Sequence, residues 1–181
     1  MTLPFLLPVL WIGASIGSFL NVCISRWPAE LSVVAPRSRC PRCERPIAWY
    51  DNIPLLSWLI LRGKCRGCAL PISVQYPLIE ATVAAIWVWA VVAYGPTLTA
   101  LRIAIAATIL LGIAITDLLH YVIPDGFTVT GFVLGLVFPI VAMFGFEQGP
   151  FAGPWDAFVG ACAGAGLIAI VGWLGEVALR K

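Results

Sequence analysis

The sequence predicts an all-α polytopic membrane protein: about five transmembrane helices, with a small zinc-binding insert between the first and the second. Three observations predict it. Met1–Ser25, Ala81–Leu101, Ile103–Thr116, Gly126–Phe146 and Ala157–Gly175 contain no Asp, Glu, Lys or Arg, and a membrane span needs roughly 20 apolar residues. Only 11% of the chain is charged and 61% is hydrophobic, whereas a soluble domain carries about 25% charge. Finally, Cys40, Cys43, Cys65 and Cys68 all fall in the one long polar stretch.

The first span is expected from Leu3 to Cys23. It lacks a basic flank at its start and is too long for a signal-peptide core, so it is read as a retained helix. Gly13 and Gly17 are four residues apart, a spacing that lets a second helix approach closely. Arg26-Trp27-Pro28 marks the exit from the bilayer, which closes a first segment at residues 1–28. Residues 29–70 form the polar insert. About 40 residues cannot bury enough apolar surface to fold unaided, so a metal is physically useful there. Within the insert, Ile53–Leu61 is apolar but far too short to span. It either lies on the bilayer surface or packs over the metal module.

Residues 71–181 hold the remaining spans. The second begins near Tyr76-Pro77 and carries Glu80 one turn in. The third starts near Thr97 and ends at Asp117, with Arg102 near enough to an end to snorkel to the headgroups. Pro124 and Gly126 mark a turn before the fourth. The fifth ends near Glu176. No internal repeat is read from the sequence.

Orientation follows from charge. Eight of the 11 Lys and Arg residues lie in one loop: Arg26, Arg37, Arg39, Arg42, Arg45, Arg62, Lys64 and Arg66. Positive-inside bias puts that loop in the cytoplasm and the N-terminus outside. Alternation places Gly95–Thr97 outside, Asp117–Asp125 inside, Glu147–Pro154 outside and Arg180–Lys181 inside. The net charge of +2 calls for no nucleic-acid partner; the loop cations fit topology and contact with anionic membrane lipid.

The cysteines carry the clearest chemistry. Two Cys-x2-Cys pairs separated by 21 residues can close a tetrahedral thiolate cage, which reads as structural zinc at Cys40, Cys43, Cys65 and Cys68. A cytoplasmic loop keeps thiols reduced, which favours metal over disulfides. Four thiolates leave no open position for catalysis. Cys23 and Cys162 lie in apolar spans and read as ordinary buried cysteines. Asp117 is the other candidate: a carboxylate following a long apolar run faces either a wet cavity or the headgroup boundary. Asp125, between Pro124 and Gly126, has the simpler reading of a turn or helix-start residue. His120 is the single histidine and makes no metal site. The sequence offers no Ser-His-Asp arrangement on one face, no His-Glu-x-x-His and no glycine-rich phosphate loop.

Several segments together are similar to the prepilin peptidases, the inner-membrane aspartic proteases of type IV pilus and type II secretion systems. They are Gly17-Ser18-Phe19-Leu20-Asn21-Val22 with Arg26 and Pro28, then the four cysteines, Ile72-Ser73 and Tyr76-Pro77-Leu78-Ile79-Glu80, and Asp117-Leu118-Leu119-His120-Tyr121-Val122-Ile123-Pro124-Asp125. The resemblance covers residues 13 to 125 in order. It implies a multi-pass enzyme of the bacterial inner membrane that cleaves the leader from prepilins or pseudopilins and N-methylates the new N-terminal residue with S-adenosylmethionine. It aligns Asp117 with the family's first catalytic aspartate and associates the cysteine-bearing domain with methylation; it assigns no residue here to the methyl donor. The family's second aspartate lies in Gly-x-Gly-Asp, which these 181 residues do not contain. Gly164-Ala165-Gly166-Leu167 has the glycines without the acid. The expectation is therefore an N-terminal portion, inactive alone, with Asp125 as the substitute second carboxylate to be tested. The rival expectation is a catalytically inactive membrane scaffold or pilin-binding protein, or one half of a split enzyme.

Overall fold

The computed structural model describes residues 3–146 and 153–179. Residues 147–152 of the expected outer loop Glu147–Pro154 and the terminal pair Arg180–Lys181 lie outside the described residues. The described residues are helical, with two isolated β-bridges and no strand among them. Six α-helices follow one another: α1 Leu3–Arg26, α2 Leu56–Ile60, α3 Gln75–Tyr94, α4 Leu98–His120, α5 Asp125–Val141 and α6 Pro154–Leu179. Short 3₁₀ turns occupy Trp27–Ala29 and Trp49–Asn52, and α5 runs on into a π-helical turn at Ala142–Phe146.

Among the described residues, four segments are long and apolar enough to cross a membrane: Pro4–Ala29, Gln75–Tyr94, Leu98–His120 and Asp125–Phe144. The expected fifth span corresponds to α6, a helix of 26 residues. The expected ends shift slightly. α1 continues through Arg26 and α4 through His120, because nothing at Cys23 or Asp117 interrupts the backbone hydrogen bonds. α4 stops where Tyr121 turns left-handed (φ 55°) and returns its N–H to the Asp117 carbonyl. Its other end is capped by Thr97, whose side chain accepts the Ala100 N–H, one of the orphan donors of a first turn.

The chain divides into two compact units, residues 1–130 and 131–181. In the first, α1, α3 and α4 pack together. Leu20, Cys23 and Ile24 meet Ile79, Val83, Trp87 and Ala90, with Ala100, Ala104 and Phe127 completing the core. The glycine pair sets the spacing of α1 on α3. A Cβ on Gly13 would stand 2.8 Å from the Ala84 Cα, and one on Gly17 would stand 2.7 Å from the Glu80 Cα. Only a residue without a side chain permits that approach. The contact between α3 and α4 also holds a polar pair: the Trp87 indole N–H donates to the Thr108 hydroxyl (3.1 Å), which donates to the Ala104 carbonyl (2.7 Å). A buried indole nitrogen needs such a partner, since hydrocarbon offers none. In the second unit, α6 is one continuous helix.

Candidate metal centre and membrane-face carboxylates

The insert is built from two copies of one turn. Residues 38–47 and 63–72 repeat the same backbone pattern with a 25-residue offset. In the first, the Cys40 N–H donates to the Arg45 carbonyl, Glu44 to Cys40, and Ile47 to Ser38; in the second, Cys65 donates to Leu70, Ala69 to Cys65, and Ile72 to Gly63. Each copy has one β-bridge, Arg39 to Pro46 and Lys64 to Pro71. Each has a left-handed residue just after its second cysteine, Glu44 at φ 56° and Ala69 at φ 57°. The expectation of no internal repeat is thus corrected. Ser-Arg-Cys-Pro-Arg-Cys-Glu-Arg-Pro-Ile and Gly-Lys-Cys-Arg-Gly-Cys-Ala-Leu-Pro-Ile carried the signal in the shared Cys-x2-Cys-x2-Pro-Ile.

The two turns aim their sulfurs at one point. The Sγ atoms of Cys40, Cys43, Cys65 and Cys68 all lie within 4.8 Å of one another, and Cys40 Sγ is 3.9 Å from Cys68 Sγ. Four sulfurs about 2.3 Å from a tetrahedral zinc would be about 3.8 Å apart, so the set fits that ion. Local electrostatics favour a thiolate. The backbone N–H groups of Cys43 and Arg42, aided by the neighbouring thiols, lower Cys40 to about 6. At Cys68 the Leu70 N–H pulls the same way, but desolvation and hydrogen bonding among Cys65, Cys43 and Cys40 push it up to about 11. Thiols crowded this closely cannot all ionise without a cation between them.

Around the cage, Arg66 closes a two-pronged ion pair on Asp51: Nε to Oδ2 at 2.8 Å and Nη2 to Oδ1 at 2.7 Å. The Arg66 guanidinium also lies over the Tyr50 ring, 5.6 Å from its centre. Hydrogen bonding to Arg66 holds the Asp51 carboxyl below the ordinary carboxylate range. The stabilisation is therefore present above Asp51's unfolded pKa of about 3.9 and is lost as pH falls through the lower folded value. Asp51→Asn should weaken the module modestly, because Arg66 is largely solvent-exposed and such pairs are screened by water and salt. The check is zinc retention against a competing chelator: the variant should release metal more readily at neutral pH, and the difference from the parent should shrink in high salt.

Beneath the module, two of the segments that carry the family resemblance meet face to face. The buried Asn21 amide donates to the Tyr76 carbonyl at 3.1 Å and to the Gly17 carbonyl at 3.3 Å. Glu80 is also buried. Its Oε2 accepts the Leu55 N–H at 2.7 Å, where Leu55 adopts φ 62°. The sequence reading did not find this role: the donor is a main-chain group, and no side-chain pattern announces it.

Asp117 lies in the last turn of α4 and Asp125 opens α5; both are exposed. Thr116 beside Asp117 is fully buried, its hydroxyl donating to the Gly112 carbonyl at 2.7 Å. Among the described residues no hydrogen bond joins the two aspartates. The start of α5 is anchored to the end of α1 by Phe127, whose ring stands edge-on to Trp27 with centroids 4.5 Å apart. That contact and the Asn21–Tyr76 bond bring the C-terminal ends of α1 and α4 together with the N-terminal ends of α3 and α5. The module and both aspartates therefore share one end of the bundle.

The family model described as the bacterial peptidase A24 N-terminal domain matches residues 11–94. The prepilin leader peptidase/N-methyltransferase of Myxococcus xanthus is 42% identical over 167 residues, covering 90% of this chain and 47% of that protein. The protein of the same name from Klebsiella pneumoniae is 40% identical over 169 residues, covering 87% and 71%. The type 4 prepilin-like proteins leader peptide-processing enzyme of Escherichia coli O78:H11 is 34% identical over 198 residues, covering 98% and 71%. The chain thus spans about half the length of the first relative and about seven-tenths of the other two. No solved structure matches.

Proposed function

The chain belongs to the prepilin leader peptidase/N-methyltransferase family, and on that premise we propose that it serves the maturation of type IV prepilins or pseudopilins at the cytoplasmic face of the bacterial inner membrane. The leader is cut away and the new N-terminal residue is methylated. The observation that carries the reading is the placement of Asp117: an exposed carboxylate closing a transmembrane helix, at the end of the bundle that bears the cysteine module. A prepilin helix in the bilayer presents its leader junction at that level.

In this reading the peptidase is of the aspartic type. One carboxylate draws a proton from water as it attacks the scissile carbonyl, and a second donates a proton to the carbonyl oxygen. Two carboxylates placed side by side share a proton, which is what separates the roles. Asp117 supplies one. The second belongs to the family's Gly-x-Gly-Asp, so the 181 residues alone are expected to lack peptidase activity, with Asp125 the substitute to test. S-adenosylmethionine is the methyl donor and zinc a structural element at Cys40, Cys43, Cys65 and Cys68. The N-terminus lies outside and the module in the cytoplasm.

Asp117→Asn, introduced into the gene in its native host, should cut prepilin processing by on the order of 10²–10⁴, read as accumulation of pilin still carrying its leader. Normal processing would leave only the scaffold role. The purified 181-residue chain should cleave no prepilin, and detection of cleavage would make Asp125 the second carboxylate.

A further inference from the structure

The helix α2 leaves a face uncovered. Ser57 is buried, its hydroxyl donating to the Tyr50 carbonyl at 2.9 Å and accepting the Ile53 N–H at 3.0 Å. The Trp58 ring packs against Gly63, where a Cβ would stand 2.9 Å from Cζ2; Gly63 holds φ 66°. These residues tie one side of α2 to the module. Leu56, Leu59 and Ile60 are 43%, 62% and 72% exposed, and their i, i+3, i+4 spacing puts them on one helical face. Three large apolar side chains left in water are unfavourable relative to burial.

The height of α2 above the bundle says what covers them. The Leu55 N–H that begins this segment donates to Glu80, the sixth residue of α3. A helix of 20 residues rises about 30 Å, the thickness of the hydrocarbon core, so α3 has no spare turn outside the membrane. Glu80 therefore starts about 7 Å inside the boundary, and its side chain leans back toward the helix N-terminus. Leu55 is held at the boundary itself. Val74, Tyr76 and Leu78, around the start of α3, are exposed as well, which continues the lipid-facing surface of the bundle to this level. Arg62 and Lys64, both exposed, follow α2 directly, the charge sign that anionic headgroups attract.

We propose that α2 is a membrane-inserted wedge: Leu56, Leu59 and Ile60 occupy the headgroup–acyl boundary of the leaflet beside the start of α3, and Arg62 and Lys64 rest on lipid phosphates. Of the two placements the sequence allowed for Ile53–Leu61, this is the bilayer one for α2, with Ser57 and Trp58 providing its link to the metal module. The assignment does not depend on the chemistry the chain performs.

The test is photolabelling of the whole chain in nanodiscs of phosphatidylethanolamine and phosphatidylglycerol, doped with a phosphatidylcholine carrying a diazirine on its acyl chain. The peptide containing residues 56–61 should be labelled to an extent comparable with peptides from α1 and α5. Replacing Leu59 and Ile60 together with aspartate should lower that labelling about tenfold or more, with bound zinc unchanged. Labelling of 56–61 by a water-soluble reagent but not by the lipid would overturn the proposal. Protection from both reagents would also overturn it and assign the face to a protein partner, such as a second copy or a substrate helix. The unmutated chain decides among these even if the double variant fails to fold.

Discussion

Stripping the metal should unfold residues 30–74 while α1, α3 and α4 stay helical. The reason is the poverty of the module's core: between Glu30 and Val74 only Cys40, Ser57 and Gly63 are buried. Structural zinc contributes on the order of 10–16 kcal/mol to small peptides at pH 7, and no apolar cluster here replaces it. Cys40→Ser, or a strong chelator, should expose the module to protease at sites between Pro36 and Lys64. Circular dichroism of the same sample should lose little helix, because only the short α2 belongs to the insert. Acid should have the same effect as chelation, since the ligands must be deprotonated to bind. Measured zinc that is unchanged in Cys40→Ser would end the metal assignment. Intact resistance to protease in metal-free protein would show that the module holds itself.

The second large effect is expected at Gly17. Leucine there would drive its Cβ into the α3 backbone at Glu80, with the Val83 Cβ only 3.2 Å away. Backbone cannot step aside as a side-chain tip can, so α1 and α3 must separate. Overpacking alone costs about 1–3 kcal/mol. Separation also strains the bond from the buried Asn21 amide to the Tyr76 carbonyl, a polar contact whose loss costs about 1–3 kcal/mol. The total is a sizeable part of the stability of a small domain. Thermal unfolding in micelles should show a clear fall for Gly17→Leu. The comparison is Gly160→Leu in α6, where, among the described residues, a Cβ meets nothing within 4 Å; that variant should unfold near the parent. Because leucine favours the helix over glycine, equal losses in both would mean that close approach at Gly17 is not what holds α1 on α3.

What the sequence made legible, and what it hid, divides along physical lines. Long apolar runs without charge are strong signals because lipid tolerates so few alternatives, and α1, α3, α4 and α5 lie where those runs lie. The cysteine cage was legible because metal geometry fixes ligand type and spacing together. The duplicated turn was visible in principle, yet outside the cysteines only Pro46 with Pro71 and Ile47 with Ile72 match, and the pairing became evident through main-chain hydrogen bonds. Glu80 was harder. Its position one turn into a span was noted, but its acceptor role depends on Leu55 adopting a left-handed turn, which leucine's side chain does not advertise. Asp117 was expected at a helix end, and it lies in the last turn of α4. The chemistry proposed for it needs a second carboxylate, and among the described residues no hydrogen bond joins it to Asp125.

The paired cysteine turns also bear on how the molecule assembles. α1 and α3 are adjacent in the fold but are threaded into the bilayer with the whole insert strung between them. Closing so long a flexible tether is entropically costly, and the cost grows with the logarithm of its length. A metal joining Cys40 to Cys68 would leave little more than residues 27–39 and 69–74 free between the two helices. Such an ion would act as a drawstring, raising the local concentration of one helix around the other before the glycine contacts at Gly13 and Gly17 form. Metal supply during synthesis would thus set how quickly the bundle closes, as well as how firmly the module holds afterwards.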